Sequence, residues 1–155
     1  MPARTENTVF VDADLDTTWR MTNDVENWPN LFTEYAAAEV LSRSGNTVRF
    51  RLTMFPDEQN RVWSWVSERV LDPETHRVVA RRVETGPFEF MNISWYYEPE
   101  GTGTRMTWIQ EFAMRPQAPL NDEQMADRIN QNTPIQMAAI RAKVESVAGA
   151  AAGTS

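Results

Sequence analysis

The sequence predicts an α+β domain in which a curved, seven-stranded antiparallel sheet and a long C-terminal helix enclose a pocket. Three observations indicate this architecture. One strand and two short helical segments precede six further strand segments, short turn sequences join those strands, and a long helical segment ends the chain. Short connections favour antiparallel neighbours. Because such a sheet cannot bury its inner face on itself, the long helix must lie across it.

Local signals support each element in turn. Asp14 or Asp16 can cap the first helical segment, which breaks into two short helices near residues 23–24. Asn121 can cap the long helix, whose first turn is acidic, and Pro134 predicts a kink within it. The predicted strands span residues 4–12, 35–44, 46–55, 60–72, 76–83, 88–98 and 103–114, and the predicted long helix spans 121–148.

Composition narrows the function classes. The 155 residues suffice for one domain, predicted over 1–148, and we expect 149–155 to be a flexible tail. A net charge of −7 argues against nucleic acids and anionic membranes as partners. Without an apolar run of about 18 residues or an N-terminal apolar region, we expect a cytoplasmic protein. The absence of Cys and the single, turn-located His76 lead us to expect neither a metal nor a cofactor.

The strand at 60–72 places a permanent cation among tryptophans. Alternation puts Trp63, Trp65, Ser67 and Arg69 on its inner face and Val62, Val66 and Glu68 on its outer face. An interior Arg69 needs an acceptor, because burying an unpaired guanidinium costs several kcal/mol. Either Arg69 reaches the sheet rim or pairs with a buried carboxylate, or a bound ligand supplies the oxygens. The favoured inner strand faces carry no carboxylate.

The other elements continue this aromatic surface with polar interruptions. In the strand at 46–55 the predicted inner face carries Val48, Phe50, Leu52 and Met54, and in the strand at 103–114 it carries Trp108, Gln110, Phe112 and Met114. In the strand at 88–98 both faces are plausible, and the face with Met91, Ile93, Trp95 and Tyr97 is preferred to the face with Phe88, Phe90, Asn92 and Ser94. For residues 76–83 the pattern leaves open whether Arg82 or Arg81 points inward. The long helix carries the stripe Met125, Ile129, Ile140, Val144 and Val147, which Asn132 and Gln136 interrupt. Such a surface is typical of small-molecule pockets.

Three segments of the chain closely resemble the single-domain, tetracenomycin-type aromatase/cyclases of bacterial type II polyketide biosynthesis. They are TNDVENWPNLFTEYAAAEVL at 22–41, RVWSWVSERV at 61–70 and RRVETGPFEFMNISW at 81–95, and the resemblance extends over roughly residues 2 to 145. It implies the helix-grip fold of START and Bet v 1-like proteins. It also implies first-ring aldol closure between C9 and C14 of a carrier-bound poly-β-ketone, followed by dehydration to an aromatic ring.

The resemblance also implies roles for particular residues. Arg69 and Tyr35 match catalytic positions, and Arg82 matches a substrate-binding position. The matching pocket positions are Trp28, Phe32, Trp63, Trp65, Ser67, Met91, Trp95 and Trp108, and Gln110 joins them by its place on an inner face. Gln136 stands where relatives have Asn, which puts the preferred polyketide chain length in doubt.

The residue chemistry agrees with that assignment. A permanently charged Arg69 cannot act as a base, but it can hold enolate or ketone oxygens, while Tyr35 can donate a proton. No Asp, Glu or His is convincingly placed as the general base. The expected partners are the poly-β-ketone and, transiently, an acyl carrier protein, and we expect a monomer. The alternatives are a non-catalytic carrier or chaperone for an aromatic or lipidic ligand, and a protein-interaction module.

Overall fold

The computed structural model describes residues 2–153 and confirms the predicted α+β order. Its elements are β1 (Ala3–Val11), α1 (Leu15–Asn23), a 3₁₀ turn (Val25–Asn27), α2 (Trp28–Leu31), β2 (Tyr35–Ser44), β3 (Thr47–Met54), β4 (Ser64–Asp72), β5 (Arg77–Arg82), β6 (Phe88–Glu100), β7 (Gly103–Met114) and α3 (Asp122–Gly153). The predicted break between the two short helices is therefore confirmed. It contains the 3₁₀ turn.

The seven strands form one antiparallel sheet in the order β1-β7-β6-β5-β4-β3-β2. The first two strands of the chain thus lie at opposite edges, and α1 and α2 make the connection between them. Helix α3 packs on β1 and also contacts α1, α2 and β7. This is the helix-grip arrangement, in which one long helix lies over a sheet that cannot bury its inner face alone.

Side-chain caps begin both longer helices where the sequence predicts them. The carboxylate of Asp14 accepts hydrogen bonds from the backbone N–H and the hydroxyl of Thr17, at 3.1 and 2.7 Å. Asn121 and Gln124 exchange side-chain to backbone hydrogen bonds of 2.8 and 3.0 Å, which is a reciprocal capping box. Helix α3 contains Pro134 and continues to Gly153, five residues beyond its predicted end at 148. The predicted flexibility of the tail stays a prediction.

The core lies between the inner sheet face and the helices, in two clusters. The larger joins the aromatic residues of α2, β2, β6 and β7 to Met137, Ile140 and Val144 of α3. The smaller contains Phe88, Met91, Phe112 and Met114, and the N-terminal half of α3 packs against it.

One predicted orientation on α3 and one on β6 are wrong. Val147, placed in the buried stripe of α3, is 46% exposed, because the core-facing stripe continues from Val144 to Ala148 and Val147 lies beside it. Phe88, placed on the outer face with Phe90, is buried in the smaller cluster. An irregularity in the pairing of β6 between these two residues shifts the alternation.

No helix among the described residues is both long and apolar enough to span a bilayer.

Candidate functional site

Arg69 is the most unusual side chain of the interior. It lies in the middle of β4, paired in register with Val48 and Ala80, and only 2% of it is exposed. Its guanidinium stacks over Trp95 and Trp28, with the central carbon 4.2 and 5.0 Å from the ring centroids. It forms no salt bridge with any described residue. Burial lowers the pKa of Arg69 to about 10, so the group stays protonated at neutral pH.

A neutral network holds this cation in place. The Nη2 group of Arg69 donates a 2.7 Å hydrogen bond to Oδ1 of Asn23, the last residue of α1. The Tyr97 hydroxyl lies 3.5 Å from Nδ2 of the same Asn23 and 2.6 Å from the Thr22 hydroxyl. Burial raises the pKa of Tyr97 to about 12, so it remains a neutral phenol. Asn23 was not predicted as a site residue, although it lies at the predicted helix break.

Aromatic rings fill the space around Arg69. Trp95 and Trp108 stack almost in parallel, with centroids 4.4 Å apart and planes 7° apart. Trp28 stacks on Trp95 from another side, and Phe32 stacks on Trp108. The predicted inward orientation of all four residues is confirmed, since each is no more than 6% exposed.

Tyr35 is a buried phenol on which the charges of Arg82 and Arg69 act. It contacts Trp28 and Phe32 and is only 9% exposed. Burial, followed by the charge of Glu34, raises the pKa of the Tyr35 phenol well above its usual value, while the positive charges of Arg82 and Arg69 oppose that shift. Tyr35 is therefore a neutral hydrogen-bond donor at physiological pH.

Arg82 lies at the end of β5 and points inward. The sequence pattern had left open whether Arg82 or Arg81 does so. Its guanidinium lies over the rings of Trp65 and Phe88, at 4.1 and 4.8 Å. Burial lowers its pKa to about 10. Arg82 is half-buried and has no salt bridge to the residues that the structure describes. The site thus contains two cations that have no carboxylate partner within residues 2–153.

Three interior N–H groups have no acceptor in the described part of the chain. They are Nε of Arg69 and the indole Nε1 of both Trp95 and Trp108. By contrast, the indole of Trp28 donates to the carbonyl of Thr22 at 3.1 Å. Buried donors normally find partners, so three unsatisfied ones in one aromatic cluster are exceptional. The interior offers donors to a molecule that is rich in acceptor oxygens.

The aromatic side chains predicted to line the pocket contact one another in the structure. Two hollows, of about 370 and 230 Å³, lie at the start of α3 and between β1 and α3. Neither is lined by a predicted site residue. The interior rings instead stack on one another, because apolar rings gain hydrophobic and dispersion energy by closing the space between them. Trp65, Arg82 and Gln110, which are half-buried, mark where that packed interior approaches the surface.

Trp63 does not point inward, and its predicted place in the pocket is wrong. It is 41% exposed and precedes β4, which begins at Ser64. The preceding loop bends around Asp57, whose carboxylate accepts hydrogen bonds from the backbone of Gln59 and Arg61 and from the Trp63 indole at 3.0 Å. That indole contact turns Trp63 outward, so strand alternation does not apply to it.

The rest of β4 follows the alternation. Ser67 is buried on the inner face and Trp65 is half-buried there. Val66 belongs to neither core cluster and Glu68 pairs with Arg49, as expected of the outer face. Val66 is nevertheless only 6% exposed, and its carbonyl accepts hydrogen bonds from the backbone of the segment after β5.

Two other predicted residues lie apart from the Arg69 group. Met91 is buried in the smaller cluster under the start of α3. Gln136 is buried but already bonded to protein groups. Its Oε1 accepts from the Thr33 backbone at 2.9 Å, and its Nε2 donates to the Thr33 hydroxyl at 2.8 Å. Gln136 therefore ties α3 to the segment before β2.

The described residues contain no group of three or more His, Cys, Asp or Glu side chains that could hold a metal. The expectation that no metal or cofactor is required stays a prediction.

Comparisons with known proteins agree with this architecture. The family model described as "Polyketide cyclase / dehydrase and lipid transport" matches residues 11–132. A Streptomyces cyaneus protein provisionally named polyketide cyclase is 60% identical over 147 residues, which cover 95% of this chain and 97% of that protein.

A second relative is larger. The actinorhodin polyketide synthase bifunctional cyclase/dehydratase of Streptomyces coelicolor is 34% identical over 78% of this chain, which corresponds to 37% of that protein. Among solved structures, the Zhui aromatase/cyclase from Streptomyces sp. R1128 superposes with a TM-score of 0.83 over 94% of each chain, at 22% identity. The chain therefore belongs to the polyketide cyclase / dehydrase and lipid transport family.

Proposed function

We propose that this protein is a polyketide aromatase/cyclase that binds a poly-β-ketone and directs its first ring closure. One observation supports the proposal above all others. Arg69 is a fully buried cation that stacks on Trp95, and among the described residues it has only the neutral Asn23 as hydrogen-bond partner and keeps Nε unpaired. Such a group is costly to bury, and it is suited to an anionic oxygen that forms during a reaction.

The chemistry of an aldol closure fits these side chains. The reaction develops negative charge first on an enolate oxygen and then on the new alkoxide. Arg69 can hold either oxygen with its guanidinium, and in a dry site this stabilisation exceeds what the same contact gives in water. Tyr35, a neutral phenol near both arginines, can donate a hydrogen bond or a proton to the alkoxide.

The unpaired donors favour a ligand with many carbonyl oxygens. A poly-β-ketone carries an acceptor on every second carbon of its chain. The Nε group of Arg69 and the indole N–H groups of Trp95 and Trp108 could each donate to such an oxygen. Because the interior rings stack on one another, the substrate would separate some of them as it binds. Their flat surfaces would then hold the chain in one bent conformation and suppress spontaneous cyclisations.

The finer assignment rests on the family resemblance. It comprises closure between C9 and C14, dehydration to the aromatic ring, and delivery of the substrate by an acyl carrier protein of a type II polyketide synthase. We propose further that the protein acts as a cytoplasmic monomer.

Reconstitution with a minimal polyketide synthase tests the function. We expect mass spectrometry and NMR to show products whose first ring is closed between C9 and C14, in place of the mixture that the synthase makes alone. If the protein binds the polyketide or an aromatic probe but leaves that mixture unchanged, it is a carrier, as lipid transport in the family description allows.

Tyr35→Phe should reduce the rate of correct ring closure about ten-fold, a smaller loss than removal of Arg69. The variant keeps the ring that packs against Trp28 and Phe32 and loses one hydroxyl, which water can replace in part. Product yields measured with limiting cyclase provide the test. A rate equal to the wild type would remove Tyr35 from the mechanism.

Docking of the carrier protein should depend on local basic residues, because both partners are acidic overall. The candidates are Arg43, Arg49 and Arg51 on β2 and β3, each of which already pairs with a glutamate of this chain. Charge reversal of Arg49 and Arg51 together should lower turnover of carrier-bound substrate several-fold at low salt, and less at high salt. Arg4→Glu, on the opposite edge strand, is the control. Equal turnover in all variants would exclude this surface.

A further inference from the structure

Glu34 is a half-buried carboxylate just before β2, beside the catalytic candidate Tyr35. In the part of the chain that the structure describes, it forms no salt bridge. Many other carboxylates of the chain, such as Glu68 and Glu84, pair with arginines on the protein surface. A carboxylate that is partly removed from water without a cation is costly to keep, so its position requires an explanation.

Neutral amides hold Glu34 in place. Nδ2 of Asn132 donates a 3.0 Å hydrogen bond to its Oε2, and Oδ1 of the same Asn132 lies 3.4 Å from Nε2 of Gln136. Gln136 in turn binds Thr33 through both its amide oxygen and its amide nitrogen. The chain of contacts fixes the carboxylate against α3, and the Tyr35 hydroxyl is a second hydrogen-bond partner of Glu34.

The electrostatic surroundings make Glu34 a stronger base than an ordinary glutamate. Burial raises its pKa, and the interactions with Asn132, Tyr35 and the charge of Arg128 offset that rise only in part. Tyr35 from β2 and Arg128 from α3 are the titratable and charged groups that act on it. A general base works best when its pKa lies near the working pH.

We infer that Glu34 is the general base of the proposed ring closure, a conclusion that rests on the proposed cyclase function. Its carboxylate removes a proton from an activated methylene between two carbonyls, and the C–H electron pair becomes the enolate. The enolate carbon then forms a C–C bond to the acceptor carbonyl. The carbonyl π pair moves to oxygen, and the resulting alkoxide takes a proton from the protonated Glu34, either directly or through Tyr35, which Glu34 then reprotonates. No atom is gained or lost in this step.

The test compares Glu34→Gln with Glu39→Gln, an exposed glutamate on β2, in the reconstituted synthase with limiting cyclase. We expect Glu34→Gln to lower the rate of correct first-ring closure about a hundred-fold and Glu39→Gln to leave it unchanged. In the wild type the rate of ring closure should fall as the pH is lowered, with a midpoint above the usual glutamate pKa, because the protonated carboxyl cannot accept a proton. In Glu34→Gln this fall of the rate in acid should be absent.

The outcomes separate the two claims. If the wild-type protein does not alter the products of the synthase, the proposed function fails and the role of Glu34 fails with it. If the wild type is active and Glu34→Gln matches it in rate and pH profile, the inference about Glu34 alone is wrong. If Glu34→Gln does not fold, Glu34→Asp serves in its place. We then expect a lower rate of ring closure and a shifted midpoint for the loss of rate in acid. A variant that matches the wild type in both would overturn the inference.

Stability provides an independent readout. Because the folded-state pKa of Glu34 is raised, the ionised carboxylate destabilises the fold once the pH exceeds that value, and the cost disappears below the unfolded-state pKa. Glu34→Gln should therefore raise the melting temperature at neutral pH and show no gain in acid. If Glu34 only stabilised the fold, Glu34→Gln would have a lower melting temperature than the wild type at every pH.

Discussion

Arg69→Ala should lower the rate of correct first-ring closure by about a hundred- to a thousand-fold, because it removes the group that stabilises the developing oxyanion. The measurement is product profiling with a minimal polyketide synthase, with Arg81→Ala as the matched control. Arg81 lies on the neighbouring strand, is exposed and pairs with Glu68 outside the interior. Arg81→Ala should therefore retain the wild-type product and rate.

The stability of Arg69→Ala distinguishes a functional arginine from a structural one. Its removal leaves no carboxylate unpaired, since the only side-chain hydrogen bond described for it goes to the neutral Asn23. Removing the buried charge stabilises the folded variant, because the desolvation cost disappears, whereas the cavity left by the side chain destabilises it. We expect a folded protein whose melting temperature changes little beside the loss of activity. A strongly destabilised variant that still closes the correct ring would show that Arg69 serves the fold.

Much of the fold follows from period-two alternation and turn sequences. In β3 and β7 one face carries nearly all the large apolar residues, and the structure buries that face in both strands. Short turns leave few alternatives to antiparallel neighbours, so the sheet order could be anticipated. Arg69 could be predicted to point inward for the same reason, because β4 is regular from Ser64 to Asp72.

Period-two alternation does not predict the orientation of side chains outside regular strands. Trp63 turns outward because a carboxylate in its loop accepts its indole N–H, a contact that no periodicity encodes. Glu34 and Asn23 lie at the ends of elements, where no repeating pattern states which way a side chain points. Their roles depend on Asn132 and Arg69, which are 98 and 46 residues distant along the chain. Such pairings become visible only once the elements are assembled.

The stacking of the interior rings also could not be predicted. Alternation indicates which faces carry large rings, but it does not determine whether those rings leave a space or stack. The structure shows stacking, so the same aromatic residues that would contact a substrate also stabilise the fold. Trp95 has both roles, since it packs between Trp108 and Trp28 and lies under the guanidinium of Arg69.

Trp95→Ala should destabilise the protein by about 3 to 5 kcal/mol, the usual cost of replacing a buried aromatic residue by alanine. The variant removes the parallel stack on Trp108 and the ring beneath Arg69, and it leaves a cavity where the side chain was 4% exposed. Urea unfolding monitored by circular dichroism measures the change. Trp95→Phe, which keeps one ring, should lose less.

Trp63→Ala is the matched control for this substitution. Its side chain is 41% exposed and contacts Asp57 and Arg61 in a surface loop, so we expect a much smaller change in the unfolding midpoint and an unchanged cyclisation product. Equal destabilisation by the two alanine substitutions would contradict the assignment of Trp95 to the interior stack and Trp63 to the surface. If Trp95→Ala left stability unchanged, the stacked rings could not be what closes the interior, because removing the central ring would have cost nothing.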